Sequence, residues 1–217
     1  LELGTEADSP RGRIYLMGAL QAGEIGVDDE VVEHLDRCLG CRACETACPS
    51  GVRYGLLIED ARAVLRESGR RPLRARIVDR GIGWLFPRRR LMAALLLPAR
   101  WLERAGVLAW LRRRSRLAQL LPPLTVAPAA VPRRLAARGP VRARAALFEG
   151  CVARELFAGV NAATAEVLAA AGCDVAVPPR QGCCGALRLH AGDRAGAQAL
   201  ARANIEAFAD GSDLIVS

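Results

Sequence analysis

Within eleven residues the chain places four cysteines, Cys38-x2-Cys41-x2-Cys44-x3-Cys48, and follows them at once with Pro49. This is the spacing of bacterial-type iron–sulfur ligation. Three thiolates must reach three corners of one small cube, so the backbone has to wrap closely around it. The two-residue gaps keep successive sulfurs on the inside of the wrap. Gly40 permits a close backbone approach. Pro49 fixes its own φ and keeps Cys48 out of a helix, which turns the chain away. Loop N–H groups, with Arg37 and Arg42 nearby, are expected to offset the negative charge. A structural zinc site divides its cysteines into two well-separated pairs, and this run is too compressed for that. In two-cluster ferredoxins the fourth cysteine of each run ligates the other cluster. Either Cys48 closes a single cluster, or it serves one whose remaining ligands lie before Leu1. The lack of an initiating Met suits the second.

A second constellation comprises Cys151 and the pair Cys183-Cys184, the latter between Gly182 and Gly185. Adjacent cysteines bridge each other only under strain. Two neighbouring thiolates in a glycine-flanked loop suit a metal or cluster, the glycines letting the backbone crowd it. A helix after Gly185 would favour thiolate. The plain alternative is that these are small buried apolar residues. Cys173 reads as core, and His190 as a packed or capping residue rather than a ligand.

Periodicity and punctuation outline the rest. Ser9-Pro10 starts a helix that Gly23 stops, and Asp28 to Leu35 reads as another. Leu56 to Ser68 is helical. Residues 72–120 are Arg-rich helical pieces, broken near Pro87, Pro98 and Gly106. Residues 122–140 carry five prolines with little periodicity and read as a linker. Beyond it come a strand at Ala145–Phe148, a helix from Asn161, a strand at Val175–Val177, a helix from Asp193 and a strand at Leu214–Val216. That alternation implies parallel strands with crossover helices. Cys151 and Cys183 then lie at the carboxyl edge of the sheet, where open α/β folds place ligands. The expected fold class is α+β: an all-α ferredoxin-like part, a helical connection and an incomplete α/β domain with a parallel sheet. The divisions are 1–70, 71–140 and 141–217.

Charge is segregated. All 31 basic residues are Arg. From Arg62 to Arg144, 21 Arg stand against Glu67, Asp79 and Glu103, while the flanks carry 10 Arg and 20 acids. A uniformly basic nucleic-acid binder is not built this way, and few aromatics interleave the basic stretch, so no nucleic-acid partner is expected. Eight clustered cysteines do not make a secreted disulfide scaffold. No apolar run is long enough for a membrane span, and Leu1-Glu2-Leu3-Gly4 forms neither a signal peptide nor a presequence.

The run Ser9-Pro10-Arg11-Gly12-Arg13-Ile14-Tyr15-Leu16, the segment Arg37 to Val52 and the stretches Glu149-Gly150-Cys151 and Gly182-Cys183-Cys184-Gly185-Ala186-Leu187 together resemble the iron–sulfur subunit of glycolate oxidase (glycolate dehydrogenase). The last two are similar to that family's CCG domain, found also in heterodisulfide reductase, lactate-utilisation proteins and anaerobic glycerol-3-phosphate dehydrogenase. The resemblance covers residues 9–65 and 145–217. Full members carry a further four-cysteine run before the Pro-Arg-Gly-Arg segment, further CCG cysteines about where this chain ends and then a second CCG repeat, so the chain looks like an internal piece of a longer subunit.

The resemblance implies an electron-transfer subunit of an oxidoreductase complex, not catalytic alone. It would carry electrons from a flavin-containing glycolate dehydrogenase subunit toward a quinone or other acceptor. It implies a 4Fe-4S cluster on Cys38, Cys41, Cys44 and Cys48, two such clusters in a full subunit, and a further cluster or metal at Cys151, Cys183 and Cys184. The implied location is cytoplasmic, or peripheral on the inner face of the membrane. Rival readings are a heterodisulfide-reductase-like or lactate-utilisation subunit, and a membrane-surface module built on Trp101, Trp110 and the Leu- and Arg-rich stretch 84–121.

Overall fold

The computed structural model describes residues 4–120, 123, 131–209 and 211–217. Pro122 and Pro128 of the expected linker, and the leading Leu1-Glu2-Leu3, lie outside the described residues. After a 3-10 turn at Glu6–Asp8 come helices α1 (Pro10–Ala22), α2 (Asp29–Asp36), α3 (Ala43–Thr46), α4 (Tyr54–Glu67), α5 (Leu73–Leu85), α6 (Arg89–Arg104), α7 (Val107–Arg114) and α8 (Arg116–Gln119). Strands β1 (Arg134–Leu135) and β2 (Ala143–Leu147) follow, then α9 (Cys151–Leu156), α10 (Ala158–Ala170), β3 (Cys173–Ala176), α11 (Ala186–His190), α12 (Arg194–Ala207) and β4 (Leu214–Val216). Contacts group the chain into two units: Leu1–Gly83 with Gly185–Gln198, and Trp84–Cys184 with Ala199–Ser217. Residues 185–198 fall with the first unit because they bond to α4 and α5.

In the first unit the Ser-Pro-Arg-Gly-Arg run has a local explanation. The Ser9 hydroxyl caps α1 by accepting from the Gly12 amide at 2.9 Å, and Pro10 takes the first turn, where its missing N–H costs nothing. A Cβ on Gly12 would stand 2.0 Å from the Glu6 carbonyl oxygen, so the preceding turn can lie on α1 only at a glycine. Arg13 reaches back to Asp8 at 3.1 Å. Asp8 also binds His34 at 3.1 Å and Arg37 at 3.2 Å. The hydrogen bond with His34 holds its carboxyl below the usual range, against the opposing effect of burial. Asp28 caps α2 through the Val31 amide at 2.8 Å. The core gathers Val31, Val32 and Leu35 from α2 with Tyr54, Ile58, Ala61 and Leu65 from α4; Leu35 and Leu65 are fully buried. Among the described residues this unit has helices and turns but no strand.

The segment 185–198 docks on α4 by polar contacts. Arg62 donates to the His190 carbonyl at 3.1 Å, and His190 Nδ1 lies 3.2 Å from Glu59. Gly192, at φ 78°, brings its backbone so near that a Cβ would lie 2.3 Å from the Arg62 carbonyl oxygen. Arg188 donates to the Gly83 carbonyl at the end of α5, at 2.6 Å through Nη2.

In the second unit the described strands form one sheet in the order β1-β3-β2-β4. Strand β2 is parallel to both β3 and β4, with Ala145 opposite Val175 and Leu214. Ala145, Ala146 and Leu147 are essentially inaccessible, as a central strand covered on both faces requires. The sheet is mixed, which corrects the all-parallel expectation: β1 pairs antiparallel with β3, Leu135 facing Val175. Two residues are too few for an alternation signal, and they follow a proline-rich stretch. Pro98 also differs from expectation, since α6 runs through it. Two residues on, Arg100 is buried and donates to the Glu155 carboxylate at 3.0 Å and carbonyl at 2.9 Å. That anchoring outweighs the one backbone bond the proline removes.

Leu65→Ala leaves a methyl-lined gap between α2 and α4. We expect a loss of about 2–5 kcal/mol in denaturant unfolding, with the far-ultraviolet dichroism of the folded baseline retained.

Candidate metal centres

Cys38 follows the end of α2, Cys44 lies within α3, and Cys41 and Cys48 sit in the flanking loops. The turns are made by Gly40 at φ 68° and by Arg42, the one non-glycine residue with positive φ among those described, at 56°. Such a conformation is costly for a residue with a Cβ and is held here from outside. The Arg42 guanidinium crosses Gly55 of α4 so closely that a Cβ there would meet its Nε at 2.5 Å. It ends on Glu59 at 3.0 Å. Glu45 of α3 accepts the Gly55 amide at 2.7 Å, and Arg62 donates through Nη2 to the Cys38 carbonyl. The loop is therefore pinned to α4 at Cys38, Arg42 and Glu45.

Cys38 and Cys44 pack against the core and Cys41 is exposed. The Cys38 sulfur accepts from the Gly40 amide at 3.4 Å and the Tyr54 hydroxyl at 3.5 Å. Burial, and then the thiols of Cys38 and Cys41, push the Cys44 thiol up. Cys48 is pulled down by the backbone N–H groups of Val52 and then Ser50. Arg37 and Arg42, expected to offset cluster charge, are instead committed to carboxylates: Arg37 to Asp8 and Glu33, Arg42 to Glu59.

No three His, Cys, Asp or Glu side chains among the described residues converge tightly enough for a single ion. A four-iron cube takes its thiolates at separate corners. Four thiols on a tightly turned loop, with N–H and O–H donors aimed at sulfur, suit that group.

The second constellation stands at the carboxyl ends of β2 and β3. Gly150, at φ 69° and ψ 157°, occupies a region essentially confined to glycine and turns the chain into α9, which starts with Cys151. Cys151 and Cys183 are buried, with sulfurs 3.6 Å apart. The Cys183 thiol, and then burial, push Cys151 far above the ordinary thiol range. Cys184 is exposed, as Cys173 is not; the latter lies in the sheet core, as expected. Gly182 meets nothing at its Cβ position, so its smallness is not what this packing needs. Helix α11 has five residues, too few for much of the dipole expected after Gly185.

Three amides that the sequence reading passed over hold this loop. Gln181 accepts the Glu149 amide at 2.8 Å and donates to the Leu147 carbonyl at 3.0 Å, joining the loops after β2 and β3. Asn204 of α12 accepts from the Gly182 amide at 2.8 Å and donates to the Cys183 carbonyl at 2.9 Å. Asn161 of α10 donates to the Glu149 carbonyl at 3.0 Å. Their signal was an amide set among alanines and leucines on a helix or beside the cysteines. Tyr54 gave a comparable one as a lone aromatic shortly after Cys48.

Residues 31–54 match the family model described as 4Fe-4S binding domain, and residues 145–217 that described as Cysteine-rich domain. The chain is 38% identical over 216 residues to the probable glycolate oxidase iron-sulfur subunit of Bacillus subtilis (strain 168), covering 94% of this chain and 49% of that protein. It is 37% identical over 209 residues to the glycolate oxidase iron-sulfur subunit of Escherichia coli (strain K12), covering 95% and 47%. The chain thus spans about half the length of these relatives. No solved structure matches it.

The opposite displacements of Cys48 and Cys44 make a prediction for the metal-free chain. Cys48 reaches thiolate at lower pH than Cys44. Alkylation by iodoacetamide, followed by peptide mass spectrometry across pH 6 to 9, should reach half-rate at Cys48 first. Equal profiles would mean that the N–H groups of residues 50–52 do not face its sulfur.

Proposed function

Because this chain belongs to the family of glycolate oxidase iron–sulfur subunits, we propose that it carries electrons from a flavin-containing 2-hydroxy-acid dehydrogenase subunit toward a quinone or other acceptor. Cys38, Cys41 and Cys44 would hold a 4Fe-4S cluster, with Cys48 either closing it or serving a second one. Cys151, Cys183 and Cys184 are proposed as ligands of a further cluster or metal. Bound there, the first cluster supplies reversible one-electron chemistry. The observation that carries the reading is Cys38, whose sulfur receives two hydrogen bonds while its carbonyl is fixed by Arg62.

The protein's own part is to hold and tune. Tyr54 is buried, and its hydroxyl spends its proton on the Cys38 sulfur. Such a donor favours the more negative, reduced form. The α2–α4 core beneath Cys38 and Cys44 keeps water from that side of the loop.

Anaerobic reconstitution tests the reading: about four iron and four sulfide per chain with a low-temperature EPR signal on reduction support it, and a folded chain that takes up neither removes it. In the reconstituted protein, Tyr54→Phe should make the midpoint potential more negative by roughly 20–65 mV, the equivalent of one hydrogen bond of ~0.5–1.5 kcal/mol.

A peripheral membrane contact is proposed for α6 and α7, on the observation that Trp101 and Trp110 are 67% and 53% exposed among arginines. No helix among the described residues is long and apolar enough to cross a membrane. The chain should cosediment with anionic vesicles at low salt and be released at high salt; indifference to the vesicles rules the contact out.

A further inference from the structure

A cavity of about 440 Å³ opens beside the carboxyl ends of β2 and β3, within the second unit. Arg89, Arg100, Arg133 and Arg154 line it, together with Glu149 and Glu155. The carboxylates are already used: Glu155 pairs with Arg100 at 3.0 Å and Glu149 with Arg154 at 2.7 Å. Among the described residues, neither Arg89 nor Arg133 has a carboxylate partner. Among the described lining residues the guanidinium groups thus outnumber the carboxylates by two. Arg100 is 9% exposed, and its Nε, also buried, has no hydrogen-bond partner. A buried N–H left unpaired is costly, and the ready remedy is an acceptor in the cavity. Burial, and then the charge of Arg154, pull the Arg89 guanidinium below its ordinary value. Glu149 and Glu155 oppose that pull, and the guanidinium remains charged at any ordinary pH.

We infer that this cavity is a binding site for a small, doubly charged oxyanion, its two negative charges matched to Arg89 and Arg133. Planar guanidinium forks suit carboxylate and phosphoryl oxygens alike. The volume lies in the lower part of the range for ligand pockets, so an organic dicarboxylate or phosphate ester fills it better than a monatomic ion. The position, outside the carboxyl ends of strands where the chain passes from one side of β2 to the other, is where open α/β sheets hold ligands. Arg154 and Glu155 lie on α9, the helix that begins with Cys151, so the anion would sit against the element that carries that thiol. The inference does not depend on any cluster being bound.

The test is calorimetric titration of the whole chain with succinate and with inorganic phosphate, each against chloride at matched ionic strength. Saturable one-to-one binding that Arg89→Gln weakens roughly tenfold or more supports the site. Arg133→Gln should do the same; Arg133 is exposed, so this variant keeps the test open even if Arg89→Gln disturbs packing. Binding of both ligands identifies a general oxyanion site, and binding of one alone assigns it to carboxylates or to phosphoryl groups. No saturable binding of either, or binding that neither variant weakens, overturns the inference.

Discussion

Arg62 and Glu59 lie one turn apart on the buried side of α4. The guanidinium of Arg62 spans two carbonyl oxygens distant in sequence, those of Cys38 and His190. Glu59 likewise takes Arg42 from the cysteine loop and His190 from the segment after Gly185. A cation and an anion are thus held out of water by groups from two separate stretches of chain. Removing the groups that bond either one strands a charge in a nearly dry place, which is strongly destabilising. The cysteine loop, α4 and residues 185–198 consequently hold their positions together.

The second unit solves the same problem with neutral groups. Its central strand is nearly all alanine and leucine, so it contributes packing but no direction. Direction comes from Gln181, Asn204 and Asn161, each of which bonds to backbone in the loops after β2 or β3. Amides can donate and accept at once, and they satisfy loop peptides that would otherwise be buried without partners. The thiols of Cys151 and Cys183 meet at the ends of loops that these amides fix.

Much of this was legible in the chain. Ser9-Pro10 and Gly23 marked the ends of α1, and the short apolar runs marked β2, β3 and β4, because caps and periodicity act locally. The cysteine spacing and the family resemblance agree with what relatives 37–38% identical to this chain are named. What stayed hidden depends on distant partners. β1 is a strand only because β3 lies beside it. α6 passes Pro98 only because Arg100 finds Glu155. The claims of Asp8 on Arg37 and of Glu59 on Arg42 could not be inferred from spacing, and neither could the approach of Tyr54 to Cys38, since each joins segments whose separation is set by the elements between them.

The pinned loop has a consequence for rates rather than affinities. A site that gains and loses an electron must be nearly the right shape for both charge states, because every shift of a dipole or bond between them adds to the barrier. Around Cys38 the donors are a backbone amide and a hydroxyl on a buried ring, and the peptide behind it is held by an arginine that has nowhere else to go. Such groups cannot swing far when the charge changes. With a cluster bound as proposed, the dipoles that favour an extra electron would be in place before it arrives, leaving little reorganisation to slow its passage.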